Sequence, residues 1–344
     1  MTDEVKLLNK CSLVVLNHCM DSGHPSLGHQ FSVVTQLAKN FSSVEVLTTS
    51  YSGESLPSNV SVTTIPWKPG KPFHNARRLW LAFLKVCMTR MPNFVFSHMS
   101  PLSSIAVASL ARLCRIPHIL WYAHAHRPRS LQLAVSLVDA VVSSTTGSFP
   151  LKTSKLLLIG QGVDARLFTK PDTSLASRFD MVYAGRMDSS KNVMLIVSKL
   201  AELKTRFPDI RLTLIGNGSS IFVNDTNRDW VTAKESVRRD NLPEQLSKHG
   251  TFIHAFIGSL DKVLVEAAMM QLPIISINPE FLREFETFSP SDFETSLDHQ
   301  LSNYFVQNSA NVNQVVLKNL EIAKNNHELS RWVSRLTNAI KLSA

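Results

Sequence analysis

The chain has 344 residues, 44% of them hydrophobic, with 36 Lys and Arg against 27 Asp and Glu for a formal net charge of +9. That length and apolar content suffice for about two ordinary domains, each with its own core. No apolar run approaches the roughly 18 residues that span a bilayer, and residues 1–6 lack the basic-then-apolar order of a signal peptide, so a cytoplasmic protein is expected.

Cys11, Cys19, Cys87 and Cys114 show neither CxxC nor finger spacing, which points to buried reduced thiols and no structural metal. Charge is uneven. Residues 1–165 carry 15 Lys and Arg against 7 Asp and Glu, so nearly all the positive excess lies in the first half. Such a field attracts a membrane surface or a phosphorylated acceptor; nucleic acid is disfavoured because no recognised module for it accompanies the charge.

Residues 11–17 form a β-rich run that opens into a loop containing Ser22, Gly23 and Gly28. Beyond it Phe31, Val34, Leu37 and Ala38 recur with helical spacing, and residues 44–48 return to a strand. This βαβ unit sets its loop at the carboxyl end of the first strand, where open α/β sheets bind ligands. After a strand over 60–65 and the basic loop Pro66-Trp67-Lys68-Pro69-Gly70-Lys71-Pro72, a helix over 76–89 places Arg77, Arg78 and Lys85 beside Leu79, Trp80, Leu81, Phe83 and Leu84. A helix of that composition either lies in a membrane interface or packs its apolar side on the sheet. Strand 94–96, helix 103–113 and strand 118–122 continue the alternation. The last strand delivers His124 and His126 to a loop, where no third ligand completes a metal set. Strands over 138–143 and 155–159 follow.

Gly160-Gln161-Gly162-Val163-Asp164-Ala165 has the G-x-G-x-x-A form, but no helix opens after it, so it fails as a dinucleotide fingerprint. The domain boundary is expected near 165–178. A strand over 180–184 leads into Gly185-Arg186-Met187-Asp188-Ser189-Ser190-Lys191-Asn192, and Val193, Ile196, Val197, Leu200 and Leu203 mark one helix face. Ser189 or Ser190 is a natural N-cap, which puts Lys191 in the first turn. A cation there opposes the helix dipole unless an anion sits at the helix start together with Arg186 and exposed N–H groups. Strand 211–215 runs into Gly216-Asn217-Gly218. Segments 230–239, 244–248, 280–285, 293–305 and 313–324 read as helices, and 328–342 is a clear amphipathic one.

The most informative stretch is Gly258-Ser259-Leu260-Asp261-Lys262-Val263-Leu264-Val265-Glu266-Ala267-Ala268-Met269-Met270-Gln271-Leu272-Pro273. A strand over 251–257 breaks at Gly258-Ser259, Ser259 can cap a helix over 260–271, and Leu272-Pro273 ends that helix before a strand over 274–277. The helix is apolar almost all round, so Glu266 needs a partner: Lys262 one turn earlier, or the hydroxyls of a ligand.

Val265-Glu266-Ala267-Ala268-Met269 and Leu272-Pro273-Ile274-Ile275 resemble the second half of the donor-binding motif of retaining GT-B glycosyltransferases, glycosyltransferase family 4 or glycosyl transferases group 1. Gly258 stands where that motif carries its first glutamate, and Ser259-Leu260-Asp261-Lys262 replaces its glycine-rich turn. The segment from Gly185-Arg186 to Lys191 is similar to the diphosphate-binding "GR....K", residues 160–171 to the interdomain linker, and Gly216 to the glycine after the next strand.

The resemblance implies an α/β GT-B fold of two doubly wound Rossmann-like domains facing a cleft. It divides the chain into 1–168 on the acceptor side, 169–327 for the nucleotide sugar, and a helix 328–344 crossing back to the first domain. It implies a hexosyl-type transferase (EC 2.4) moving a sugar from a nucleotide sugar to a glycan or lipid-linked acceptor, without a metal or other cofactor. Arg186 and Lys191 would hold the diphosphate and stabilise its departing charge. Gly185, Gly216, Gly258, Ser259, Leu260, Asp261, Lys262 and Glu266 would line the donor, with Glu266 on the ribose. His124 or His126 would face the donor sugar, and Ser22, Gly23 and Gly28 the phosphate or acceptor. The basic first domain would meet the inner face of the membrane. A sugar-nucleotide-binding partner subunit with little or no catalysis is the alternative, motivated by Gly258.

Overall fold

The structure, a computed structural model, describes residues 8–170, 176–289 and 296–342. Residues 1–6, Pro171 of the linker and the 293–295 part of one expected helix lie outside them.

Two compact units divide the chain, one running to Gly162 and resuming at Leu329, the other spanning Val163–Glu328. The first holds β1 (Ser12–Leu16), α1 (His29–Leu37), β2 (Ser43–Thr48), β3 (Val60–Thr64), α2 (Pro72–Thr89), β4 (Phe94–His98), α3 (Pro101–Leu113), β5 (His118–Trp121), α4 (Arg129–Leu137), β6 (Ala140–Ser143) and β7 (Leu156–Leu158). Its strands are all parallel in the order β3-β2-β1-β4-β5-β6-β7. Central strands such as Leu13-Val14-Val15-Leu16 are buried residue after residue because helices cover both faces. Val14, Leu16 and Val95 meet Leu79 and Phe83 of α2 on one face; Leu13, Val15 and Phe96 meet Val33 and Val34 of α1 on the other. The strand order reverses between β1 and β4, so the loops after these strands flank a crevice of the kind that binds ligands.

The second unit holds β8 (Asp180–Ala184), α5 (Val193–Lys204), β9 (Arg211–Ile215), β10 (Val231–Lys234), α6 (Leu242–Leu246), β11 (Thr251–His254), α7 (Lys262–Met269), β12 (Ile274–Ser276), α8 (Pro279–Glu284), α9 (Leu297–Val306) and α10 (Ser309–Ile322). Its parallel order is β10-β9-β8-β11-β12, which reverses between β8 and β11. Leu264, Val265, Ala267 and Ala268 of α7 pack with Val182, Ala184 and Phe252 of these two strands. The expected helix over 230–239 is not formed. Its first residues make β10, paired register for register with β9, and Trp230 and Val231 are buried in the core beside it. Pairing with a neighbouring strand decides the conformation of so short a segment.

The final helix, α11 (Leu329–Leu342), belongs to the first unit. Its Trp332, Leu336 and Ile340 join the core beneath α1, and Trp332 meets Trp121 edge-on at 5.2 Å. The division at 162/163 falls before the expected one at 168/169. Val163 donates its N–H to the His327 carbonyl at 2.8 Å and Phe168 is buried in the second core, so these linker residues are structural parts of that unit. Among the described residues no helix is long and apolar enough to cross a membrane.

Candidate active site

At the carboxyl ends of β8 and β11, where the second sheet reverses its order, two segments far apart in sequence meet. Lys191 follows β8 and forms an ion pair with Asp261, 70 residues on, at the start of α7. Lys191 is buried, and its ammonium sits 3.8 Å from the centre of the Phe256 ring. His254 Nε2, at the end of β11, donates to the same Asp261 oxygen at 3.3 Å. Burial lowers the His254 pKa and keeps the imidazole neutral. Burial alone would raise the pKa of Asp261, but the His254 hydrogen bond and the Lys191 charge outweigh it and hold the carboxyl below the usual carboxylate range.

Local geometry differs from the sequence expectation at both helix starts. Neither Ser189 nor Ser190 caps α5. Both belong to a 3-10 turn, Ser189–Lys191, capped by Asp188, and α5 begins only after Asn192, which adopts left-handed φ 53°. Asn192 tolerates that backbone and its amide donates to the Ala255 carbonyl at 3.0 Å, tying the turn to the segment after β11. Lys191 therefore precedes the helix rather than lying in its first turn. Ser259 does not cap α7 either. Asp261 occupies the cap position without a side-chain cap bond, its carboxylate being committed to Lys191 and His254.

Arg186 is exposed and pairs with Asp188 at 3.2 Å. Its carbonyl accepts from Tyr183 Oη at 2.7 Å, which fixes the backbone on the strand it leaves. Gly185 and Gly216 touch here: a Cβ on Gly216 would stand 2.1 Å from the Gly185 carbonyl oxygen, so only glycine lets the two loops pass. A Cβ on Gly258 would stand 2.3 Å from the tip of the Phe256 ring, the ring that receives Lys191. A glutamate at this position would displace Phe256. Leu260 is buried, and the Ser259 carbonyl accepts from Asn278 Nδ2 at 3.0 Å. Asn278 also donates to the Phe256 carbonyl at 3.0 Å and caps α8 with its oxygen, so it carries the whole turn.

Glu266 is buried, as its apolar helix requires, but its partner is Arg239, in the turn after β10, and not Lys262 as one sequence reading had it. Arg239 in turn lies 5.2 Å from the centre of the Phe168 ring. Lys262 shares this neighbourhood. Burial, reinforced by the Arg239 charge and opposed by Glu266, pushes its ammonium down to about 7. The folded value lies below the unfolded one of roughly 10.4, so between those limits the unfolded chain binds more protons and stability grows with pH. It is lost as pH falls through about 7. Thermal melts of wild type against Lys262→Met should therefore converge as pH rises from about 7 to about 9, and parallel melts would remove this reading.

The first unit carries a cavity of about 360 Å³ at its own reversal point. His18 after β1, Met99 and Ser100 after β4, and Tyr122, His124 and His126 after β5 line it, with Trp67 and Leu102 at its margin. His124 Nδ1 accepts from the His126 N–H at 2.9 Å, and the His126 carbonyl accepts from Tyr122 Oη at 2.9 Å. In the loop after β1, the Ser22 N–H donates to Glu54 and the Gly23 N–H to Asp21, each at 2.9 Å, so both amides already serve carboxylates. A Cβ on Gly28 would meet the Ser22 carbonyl at 2.3 Å. The predicted residues thus fall into two groups, one per unit. Arg239, His254, Phe256 and Asn278 are additions that sequence reasoning missed. Among the described residues no group of three His, Cys, Asp or Glu could hold a metal ion.

Two covered parallel sheets, each with its loops gathered where strand order reverses, define the GT-B class of glycosyltransferase fold. Residues 178–287, which contain Arg186, Lys191, Arg239, Asp261 and Glu266, match the family model Glycosyl transferases group 1. With that match the expected transferase class, EC 2.4, stands. No curated protein matches the chain. Among solved structures, Anabaena Alr3699/HepE in complex with UDP and glucose superposes with a TM-score of 0.72 at 12% identity, covering 96% of this chain and 100% of that one. TarM gives 0.73 at 8% identity over 98% and 100%. The apo form of the lipopolysaccharide outer core galactosyltransferase WaaB gives 0.64 at 12% over 97% and 100%. At such identities these likenesses concern the fold.

Proposed function

We propose that the chain is a retaining glycosyltransferase that moves a sugar from a nucleotide-sugar donor to a glycan or glycolipid acceptor in cell-surface polysaccharide or glycolipid synthesis, working in the cytoplasm at the membrane's inner face. The observation that carries this reading is the meeting of Lys191 and Asp261 at the reversal point of the second sheet. It brings the Gly185–Lys191 segment and the start of α7 together at the position where such sheets bind nucleotides. The donor's diphosphate would take the Asp261 carboxylate's place on Lys191 and bind the exposed Arg186 from the other side. Glu266 would accept the ribose hydroxyls. As the bond from the sugar's anomeric carbon to the diphosphate breaks, Arg186 and Lys191 would stabilise the charge left on the departing oxygen, so the scheme needs no metal. His124 and His126, which line the first unit's cavity, would contact the acceptor there.

A second reading, a sugar-nucleotide-binding subunit with little turnover, is favoured by two specific features. Lys191 and Glu266 each already hold a protein partner, and Gly258 lacks the motif's carboxylate. A panel of sugar nucleotides, UDP-sugars first because a structural neighbour was solved with UDP and glucose, separates the two. Thermal shift reports binding and slow release of free nucleotide reports turnover. Arg186→Ala is expected to lower turnover at least about 10-fold, some 1.4 kcal/mol in the barrier. Binding that never leads to hydrolysis, even with membrane lipid extract added, would favour the second reading. A folded protein that binds none of them would remove the roles given to Arg186, Lys191 and Glu266.

A further inference from the structure

From residue 55 to residue 138 the chain contains no Asp or Glu and 10 Lys and Arg. Within this segment α2 presents a single stripe to solvent. Phe73, Arg77, Leu81, Lys85 and Met88 follow one another at spacings of four, four, four and three, the interval that keeps residues on one helical face. Phe73 is 89% exposed, Met88 78% and Leu81 44%, while Leu79, Phe83 and Cys87 fill the opposite face against the sheet. The core is therefore satisfied without the outer apolar residues. A soluble surface gains nothing from large apolar side chains alternating with cations on its outermost ridge.

The loop before the helix continues the stripe and is held rigidly to it. Asn75 binds the backbone of Lys68 from both sides, at 3.0 and 2.8 Å, and Arg78 donates to the Pro66 carbonyl at 3.0 Å. Trp67, 41% exposed, is fixed in this way at the end of the ridge, and it also lines the first unit's cavity with Leu102, 48% exposed. The remaining described acids of this unit, Asp21, Glu45, Glu54 and Asp139, all lie outside the segment.

We infer that the α2 ridge, with Trp67 at its end, docks on an anionic lipid bilayer, with Phe73, Leu81 and Met88 entering the headgroup boundary and Arg77, Arg78 and Lys85 lying among the phosphates. Charge complementarity and the alternation of apolar and cationic groups choose this occupant: an apolar protein partner would leave the cations unmatched, and a free anion would leave the apolar groups unused. The inference rests on the lipid-linked acceptor proposed above for its purpose, since Trp67 connects the membrane face to the cavity where that acceptor's head would enter.

Co-sedimentation with vesicles of phosphatidylcholine, with and without about a third phosphatidylglycerol, tests it. The full chain should bind the anionic vesicles and scarcely the neutral ones. The triple variant Arg77→Gln, Arg78→Gln, Lys85→Gln should lose on the order of 100-fold in partitioning at low salt, the weight of three cations near the surface. The triple variant Phe73→Ser, Leu81→Ser, Met88→Ser should still bind at low salt and release at physiological salt, where wild type stays bound. Absence of wild-type binding, variants that bind like wild type, or a wild-type dimer that the serine substitutions convert to monomer would overturn the inference. Sugar-nucleotide binding by the same proteins is a separate readout. Retained donor binding without vesicle binding sinks this inference alone, and vesicle binding without donor binding sinks the transferase reading alone.

Discussion

Replacing Asp261 by asparagine is expected to destabilise the free protein by about 3 kcal/mol, the low end for removing one member of a buried ion pair, and a nucleoside diphosphate should recover much of that loss. The low end applies because Asp261 keeps 30% of its side chain exposed whereas Lys191 keeps 6%. The substitution leaves a hydrogen-bonding side chain for His254 but withdraws the charge that balances Lys191. In a unit of this size the loss corresponds to a drop of roughly 6 to 12 °C in melting temperature. If Lys191 is a phosphate ligand held by an internal substitute, the diphosphate supplies the missing anion, and the ligand-induced rise in melting temperature is larger in the variant than in wild type. A variant that melts early and does not respond to UDP, while wild type does, would make the pair a purely structural one.

Much of this architecture is legible in the sequence because it depends on local pattern. Continuous apolar runs such as Leu13-Val14-Val15-Leu16 announce strands covered on both faces, and Leu329, Trp332, Val333, Leu336 and Ile340 announce a helix with one buried side. The isolation of Glu266 on an apolar helix was legible for the same reason, and so was its need of a partner. The partner itself was not, because Arg239 lies 27 residues away. It follows β10, a four-residue strand that local pattern read as helix, so the turn that aims Arg239 at α7 could not be foreseen. Asp261 and Lys191 are further apart still, and only the adjacency of β8 and β11 brings them together. His254 at the end of its strand and the double Arg238-Arg239 were the available signals: polar groups flanking apolar runs without a local use.

Glu266 has to serve two partners if it both holds Arg239 and receives ribose, and the two roles separate in a double substitution. Glu266→Ala alone should cost about 3 to 5 kcal/mol in stability, since it strands the buried Arg239 guanidinium. Lost donor affinity in that protein would be uninformative, because a damaged fold explains it equally well. Changing both residues, Arg239→Met with Glu266→Leu, replaces the pair by apolar groups of similar volume, and such replacements of buried ion pairs are often neutral or stabilising. The double variant should therefore melt near wild type. Arg239 engages Oε1 of the carboxylate, and a ribose hydroxyl would need Oε2. On that arrangement the restored double variant still loses about 1.5 to 3 kcal/mol of donor interaction, the range for hydrogen bonds to a charged group, or roughly 10- to 150-fold in affinity. Stability and affinity recovering together would make Glu266 a structural ion-pair member, leaving the donor to Arg186, Lys191 and the backbone of residues 258–262.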